Sequence, residues 1–235
     1  MPKLGIEFDE EAQKKLEVPL GKREIYPSTG KYVAEILREQ GVSIAWGVPG
    51  GHIWHFVDAI SRIGIKLVIF GHEHNAVYAA EGYSQVTQKA SVAFGTVGPG
   101  TGNAFSPMQQ AYLSNTPIIY LAGGIEQEHD HLYNTIQESI CAEFFVHVTK
   151  WAQRVFYPWS VKQFLTRGFR IAQAAPMGPV AFELGVDCLF MKDDAREHYW
   201  GGFFAQNADY LPNWRQDETT KPILSGADPI AIEKA

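Results

Sequence analysis

Phe70-Gly71-His72-Glu73-His74-Asn75-Ala76 follows the apolar run Ile65 to Phe70 and leads into a pattern that continues through Ala79, Ala80 and Tyr83. The run reads as a buried strand and the pattern as a helix, so Glu73 stands at a strand-to-helix corner. In open α/β sheets ligands bind at the carboxyl ends of strands, which makes an acid there better placed for chemistry than one on a helix face. Two glycine-rich corners share this topology. Gly47-Val48-Pro49-Gly50-Gly51 follows Ile44 to Trp46, and Gly98-Pro99-Gly100-Thr101-Gly102-Asn103 follows Ser91 to Val97.

Working outward, strand and helix signals alternate along most of the chain. A helix is expected from the N-cap Ser28 to about Gln40, with Val33, Ile36 and Leu37 on one face and Gly41 at its stop. Next come a strand at Ser43 to Gly47, a helix from about Gly51 to Arg62, a strand at Lys66 to Phe70 and a helix at Glu73 to Gln88. The pattern continues with a strand at Ser91 to Val97, a helix at Asn103 to Leu113 and a strand at Pro117 to Ala122. An irregular charged stretch is followed by a helix near Glu138 to Val146, a strand around Lys150 to Val155, a helix at Pro158 to Ala174 and a strand at Pro179 to Leu184. Such alternation gives βαβ units and an open, mainly parallel sheet with helices on both faces.

Three segments are expected: an N-terminal arm at 1–27, the α/β domain at 28–193, and an extended tail at 194–235. The tail carries Tyr199, Trp200, Phe203, Phe204, Tyr210 and Trp214 without a sustained period, too aromatic for a free linker.

Composition excludes several classes. With 235 residues, 46% hydrophobic, the chain can bury one α/β core. A net charge of −6 supplies no basic footprint for nucleic acid. The two cysteines, Cys141 and Cys188, lie in no metal-binding spacing and point to a reducing compartment. Neither a membrane span nor a signal peptide is supported, and a cytoplasmic protein is expected. His52, His55, His72 and His74 spread over two loops without ligand spacing, so no metal site is assigned to them. The polar run Glu126, Glu128, His129, Asp130 and His131 reads as a solvated loop near the rim of the site.

The three corners, together with Ala80-Glu81-Gly82-Tyr83, Ile136-Gln137-Glu138, Thr149-Lys150-Trp151 and Gly178-Pro179-Val180 in collinear order, resemble a known family. It is the N-terminal pyrimidine-binding domain of thiamine diphosphate enzymes, in the superfamily of acetolactate synthases, 2-oxoacid decarboxylases and 2-hydroxyacyl-CoA lyases. The resemblance covers residues 28 to 190. It implies that Glu73 is the catalytic glutamate, which bonds the pyrimidine of the cofactor and favours the tautomer that takes the thiazolium proton. It implies further that Val48, Pro49, Pro99, Asn103 and Gln137 line the pyrimidine, with Gly50, Gly51 and His52 beside the substrate.

The same resemblance sets expectations about partners. Family members hold the diphosphate through Mg²⁺ on a separate domain with a Gly-Asp-Gly motif, and no such tripeptide occurs here. A split enzyme, or a fragment of one, is expected, with a second chain carrying the diphosphate and Mg²⁺ in a hetero-oligomer. The substrate expected is a small 2-oxo or 2-hydroxy acid or an acyl-CoA, in a reaction that makes or breaks a C–C bond next to a carbonyl. Gly124 stands where many members carry Gln, His74 where Gln is usual and Gly71 where Arg is common, which puts ordinary acetolactate synthesis in doubt. The competing class is a non-catalytic regulatory or assembly subunit; the retained Glu73 argues against it.

Overall fold

The Ser28 hydroxyl accepts from the Lys31 amide at 3.3 Å and caps α1 (Thr29–Glu39), whose Val33, Ala34, Ile36 and Leu37 are buried. A cap of this kind stabilises a helix by about 1 kcal/mol. Gly41, with φ +80°, ends the turn that follows. The computed structural model describes residues 28–191; the arm expected at 1–27 and the aromatic tail expected at 194–235 lie outside them.

The remaining elements are β1 (Ile44–Gly47), a 3-10 turn (Gly51–Ile53), α2 (Trp54–Arg62), β2 (Lys66–Ile69), α3 (Glu73–Thr87) and β3 (Ser91–Gly95). There follow the short α4 (Pro99–Gly102), α5 (Phe105–Leu113), β4 (Ile118–Gly124), a 3-10 turn (Gln127–His129) and α6 (Cys141–Phe145). The last are β5 (Trp151–Val155), α7 (Pro158–Gln173), β6 (Val180–Gly185) and α8 (Val186–Phe190).

All six strands pair in parallel in the order β2-β1-β3-β4-β6-β5. Strands buried on both faces are near-continuous apolar runs, and β3, β4 and β6 have no exposed residue. Alternate residues feed two cores. Phe94, Ile119, Leu121 and Phe182 pack with α1, α2 and α7, whereas Ala93, Tyr120 and Ala181 face α3, α5 and α6. The second core is rich in alanine, including Ala76, Ala80, Ala93, Ala111 and Ala181, which lets α3 and α5 lie close to the sheet. Ile118 and Tyr120 are the bulky side chains of β4 on that face.

The open, parallel, two-faced sheet expected from the alternation is the one observed. Three helices differ in detail. The helix expected from Gly51 starts as a 3-10 turn, and the one expected from Asn103 begins at Phe105, with the separate turn α4 ahead of it. Gly100-Thr101-Gly102 has poor helix propensity and tightens into a single turn. The helix expected from Glu138 shortens to Cys141–Phe145, because the backbone before it is irregular, with Gln137 at φ 61°. Among the described residues no helix is long and apolar enough to cross a membrane.

Candidate functional site

The chain runs outward from β1 to β2 and then returns past β1 to β3, so the strand order switches direction between β1 and β3. The loops after these two strands diverge at their carboxyl ends and open the crevice in which ligands of such sheets bind. Both glycine corners lie there. At their base Gly50 packs on Thr96, just after β3: a Cβ on Gly50 would fall 2.3 Å from Thr96 Oγ1. Only glycine permits that approach. At Gly51 no atom lies within 4 Å, so its missing side chain opens on free space.

Glu73 is the first residue of α3 and 6% exposed. The His72 Nδ1 caps the helix by accepting from the His74 amide at 3.3 Å, and the helix N-terminus favours an acid at this position. Its Oε2 accepts from Asn103 Nδ2 at 3.0 Å, while the Cα of Gly100 faces Oε1 so closely that a Cβ there would lie 2.8 Å away. The carboxylate therefore meets backbone on one side and an amide on the other.

Of the residues assigned to the site from sequence, the structure brings several together. Val48 follows β1 and donates its amide to the Phe94 carbonyl at 3.3 Å, and Pro49, Pro99 and Asn103 are exposed at the same edge. Gln137 reaches the third loop through its backbone: Gly98 at φ 61° packs against the Gln137 carbonyl, where a Cβ would be 2.4 Å away. The backbone of His52 lies over Gly123 at the end of β4. Among the described residues no cluster of His, Cys, Asp or Glu could hold a metal ion.

The rim is braced by a charged trio that sequence reading missed. Arg154 on β5 binds Asp130 bidentately at 2.7 and 3.0 Å and places Nε 3.2 Å from Glu183 Oε1 on β6. The Ala142 amide donates to Glu183 Oε2 at 2.8 Å. Burial pushes the Glu183 carboxyl up from its ordinary value, and the hydrogen bond from Arg154 holds Asp130 down. Gly124 leaves the space that Glu183 fills, since a Cβ there would lie 2.8 Å from its Cγ. Asp130 is thus pinned rather than part of a solvated loop, because Arg154 on the neighbouring edge strand supplies its counter-charge. The acid at 183 within an otherwise apolar strand was the available signal.

Cys141, at the start of α6, accepts from the Gly98 amide at 3.3 Å and ties the third loop to the end of β4. Burial and the nearby Glu183 push its thiol up, so it packs as a neutral group. Two open depressions of about 420 and 390 Å³ flank His131 and Ile140, and Glu73 lines neither.

A parallel sheet whose switch-point loops bring glycine and Asn103 against a buried carboxylate has the frame of a ligand-binding α/β domain. Residues 27–145 match the family described as thiamine pyrophosphate enzyme, N-terminal TPP binding domain, and the chain belongs to that family. A 2-hydroxyacyl-CoA lyase 2 of Xenopus laevis is 30% identical over 190 residues, 80% of this chain and 28% of the relative. An acetolactate synthase of Bacillus subtilis (strain 168) is 32% identical over 146 residues, 62% of this chain and 25% of the relative. The chain thus spans about a quarter of the length of these curated relatives. A solved structure described as a thiamin diphosphate-dependent enzyme from Mycobacterium smegmatis shares the fold, with TM-score 0.64 and 24% identity over 69% of this chain and 31% of the other.

The residues fit the pyrimidine half of thiamine diphosphate. Glu73 retains an oxygen that accepts no hydrogen bond among the described residues, and the glycine at 51 leaves open space at the first corner.

Proposed function

We propose that this chain supplies the pyrimidine-binding half of a split thiamine diphosphate enzyme, a carboligase or lyase acting on a C–C bond next to a carbonyl. When bound, the cofactor supplies a carbon nucleophile that adds to a carbonyl and stabilises the charge that follows. This chain's part is to hold a proton at one atom. Glu73 donates to or accepts from the pyrimidine through the oxygen that Asn103 leaves free, and the glycine wall keeps the carboxylate from turning away. Val48, Pro49, Pro99 and Gln137 border the ring, and Gly50, Gly51 and His52 border the substrate. The observation that carries this reading is the buried Glu73 held by Asn103 at the switch point.

The partner that holds the diphosphate and Mg²⁺ docks, on this reading, beside α3 and α5. Neither helix has a charge on its outer face: the acids of α3, Glu73 and Glu81, are both buried, and α5 has none. Tyr78, Val86, Phe105, Tyr112 and Leu113 are exposed there. A solvated helix face carries charges, whereas the core of an interface is depleted of them.

Exchange of the thiazolium proton with deuterium, measured in the assembled enzyme, tests the role of Glu73. Glu73→Gln should stop exchange and leave assembly intact. Exchange at the unmodified rate would overturn the assignment.

A further inference from the structure

Beside Glu73 the fold leaves a buried polar atom without a partner. Tyr120 on β4 is fully buried, its ring packed on Phe145 with centroids 5.2 Å apart. Its hydroxyl makes no regular hydrogen bond among the described residues. A phenol left unpaired in a core is costly, and phenylalanine would fill the same volume without that cost.

The surroundings of the hydroxyl are specific. Gly95 on β3 faces it, and a Cβ there would lie 2.2 Å from Tyr120 Oη and 3.1 Å from Glu73 Cγ. The space left by Gly95 is therefore shared by the phenol and the glutamate. The titratable groups facing the phenol are Glu73 from α3 and Cys141 from α6, and the Thr101 hydroxyl from α4 faces it as well. The Thr101 hydroxyl donates to the Thr96 carbonyl at 2.6 Å and keeps its lone pairs, so it competes as a neutral acceptor, while the Cys141 sulfur is engaged with the Gly98 amide and the Gly123 carbonyl. Glu73 has spare acceptor capacity at Oε1. A carboxylate also accepts a hydrogen bond about twice as strong as a neutral oxygen does. Burial, with the Glu73 charge nearby, keeps the phenol protonated and so a donor.

We propose that Tyr120 is a positioning residue for Glu73: its hydroxyl, brought beside the glutamate by the missing side chain of Gly95, donates to the carboxylate after a small rotation of either side chain. With Asn103 it then fixes the direction the carboxylate faces. The effect on turnover rests on the catalytic reading of Glu73; the contact does not.

The test is a double-mutant cycle on the full chain. Tyr120→Phe should lower the melting midpoint in the wild-type background and leave it unchanged or raised in a Glu73→Leu background. In the assembled enzyme, Tyr120→Phe should slow thiazolium exchange about tenfold while cofactor affinity holds, as loss of an orienting partner does. Should Glu73→Leu fail to fold, proton NMR of the wild-type chain gives a second readout: a slowly exchanging tyrosine hydroxyl with a cross-peak to Glu73. Equal effects of Tyr120→Phe in both backgrounds, non-additivity with Thr101→Val instead, or a hydroxyl in fast exchange would overturn the proposal. Non-additivity that survives while Glu73→Gln leaves exchange untouched would overturn the catalytic reading alone.

Discussion

Asn103 and Glu73 lie thirty positions apart and meet through a 3.0 Å hydrogen bond from Nδ2 to Oε2. The acid is thus launched by one strand and gripped from the loop of another. Since α4 is a single turn, Asn103 leaves its end in a fixed direction, and its own amide is held by the Pro99 carbonyl at 3.0 Å.

Asn103→Ala should therefore act on chemistry more than on folding. Asn103 itself is exposed, but the Glu73 oxygen it leaves is buried, so its truncation should cost about 1 kcal/mol of stability. Thiazolium exchange should fall about 10- to 100-fold, as when an orienting outer partner is lost. Thermal melts and exchange rates on the same preparation check both halves.

The two glycines of the first corner should separate. Gly50→Ala drives a Cβ into Thr96, 2.3 Å from Oγ1 and 2.4 Å from Cβ, and should destabilise the fold by about 1–3 kcal/mol. Gly51→Val meets nothing within the chain, so its melting temperature should stay near wild type while turnover collapses. Matched damage to stability and turnover at position 51 would make that corner a structural turn.

The Asp130, Arg154 and Glu183 trio gives a pH signature. Asp130 has a depressed pKa in the fold, so its contribution is present above the unfolded value of about 3.9 and fades as pH falls through the folded value. Asp130→Asn should cost about 1–3 kcal/mol at neutral pH, and its urea curve should converge on wild type below the ordinary carboxylate range. Arg154→Met should cost about 3–5 kcal/mol by leaving Glu183 buried without its cation. Because Glu183 has a raised pKa, that loss should shrink as acid protonates it, and Glu183→Gln in the same chain should restore part of it.

On the outer face of α3 and α5, Leu113→Lys or Val86→Glu should leave the monomer's melting temperature nearly unchanged, since both side chains are largely exposed at 71% and 86%. Sedimentation with the proposed diphosphate-binding partner should show lost association. Association at wild-type strength would place the docking face elsewhere.

The corners were legible because their chemistry is local. Gly47, Gly50, Gly98 and Gly100 are glycine because backbone, the Thr96 side chain or Glu73 approaches each of them, and strands ending in such glycines are visible in one sequence. The family resemblance placed Glu73 and its loops in order. The trio of Asp130, Arg154 and Glu183 was not legible: their meeting depends on β5 lying outside β6, and nothing in the chain order of those strands announces it. Tyr120 was hidden for a related reason. In a continuous apolar run its register decides which core it enters, and only the pairing of Ala93 with Tyr120 beside Gly95 brings its hydroxyl to the glutamate. The helix ends at 51–53 and 103–104 depend on tertiary contacts that propensity does not contain.

The strand that delivers Glu73 is the sheet's edge. β2 pairs with β1 alone, and Lys66 and Ile69 face solvent, so its amides should exchange with deuterated water well before those of β3 and β4. Were the acid held only by its own strand, each such opening would carry it off its mark. Because Asn103 belongs to the loop after β3, a strand paired on both sides, the edge can open while the carboxylate stays clamped. Wear at the rim of the sheet is thereby kept from the carboxylate's position.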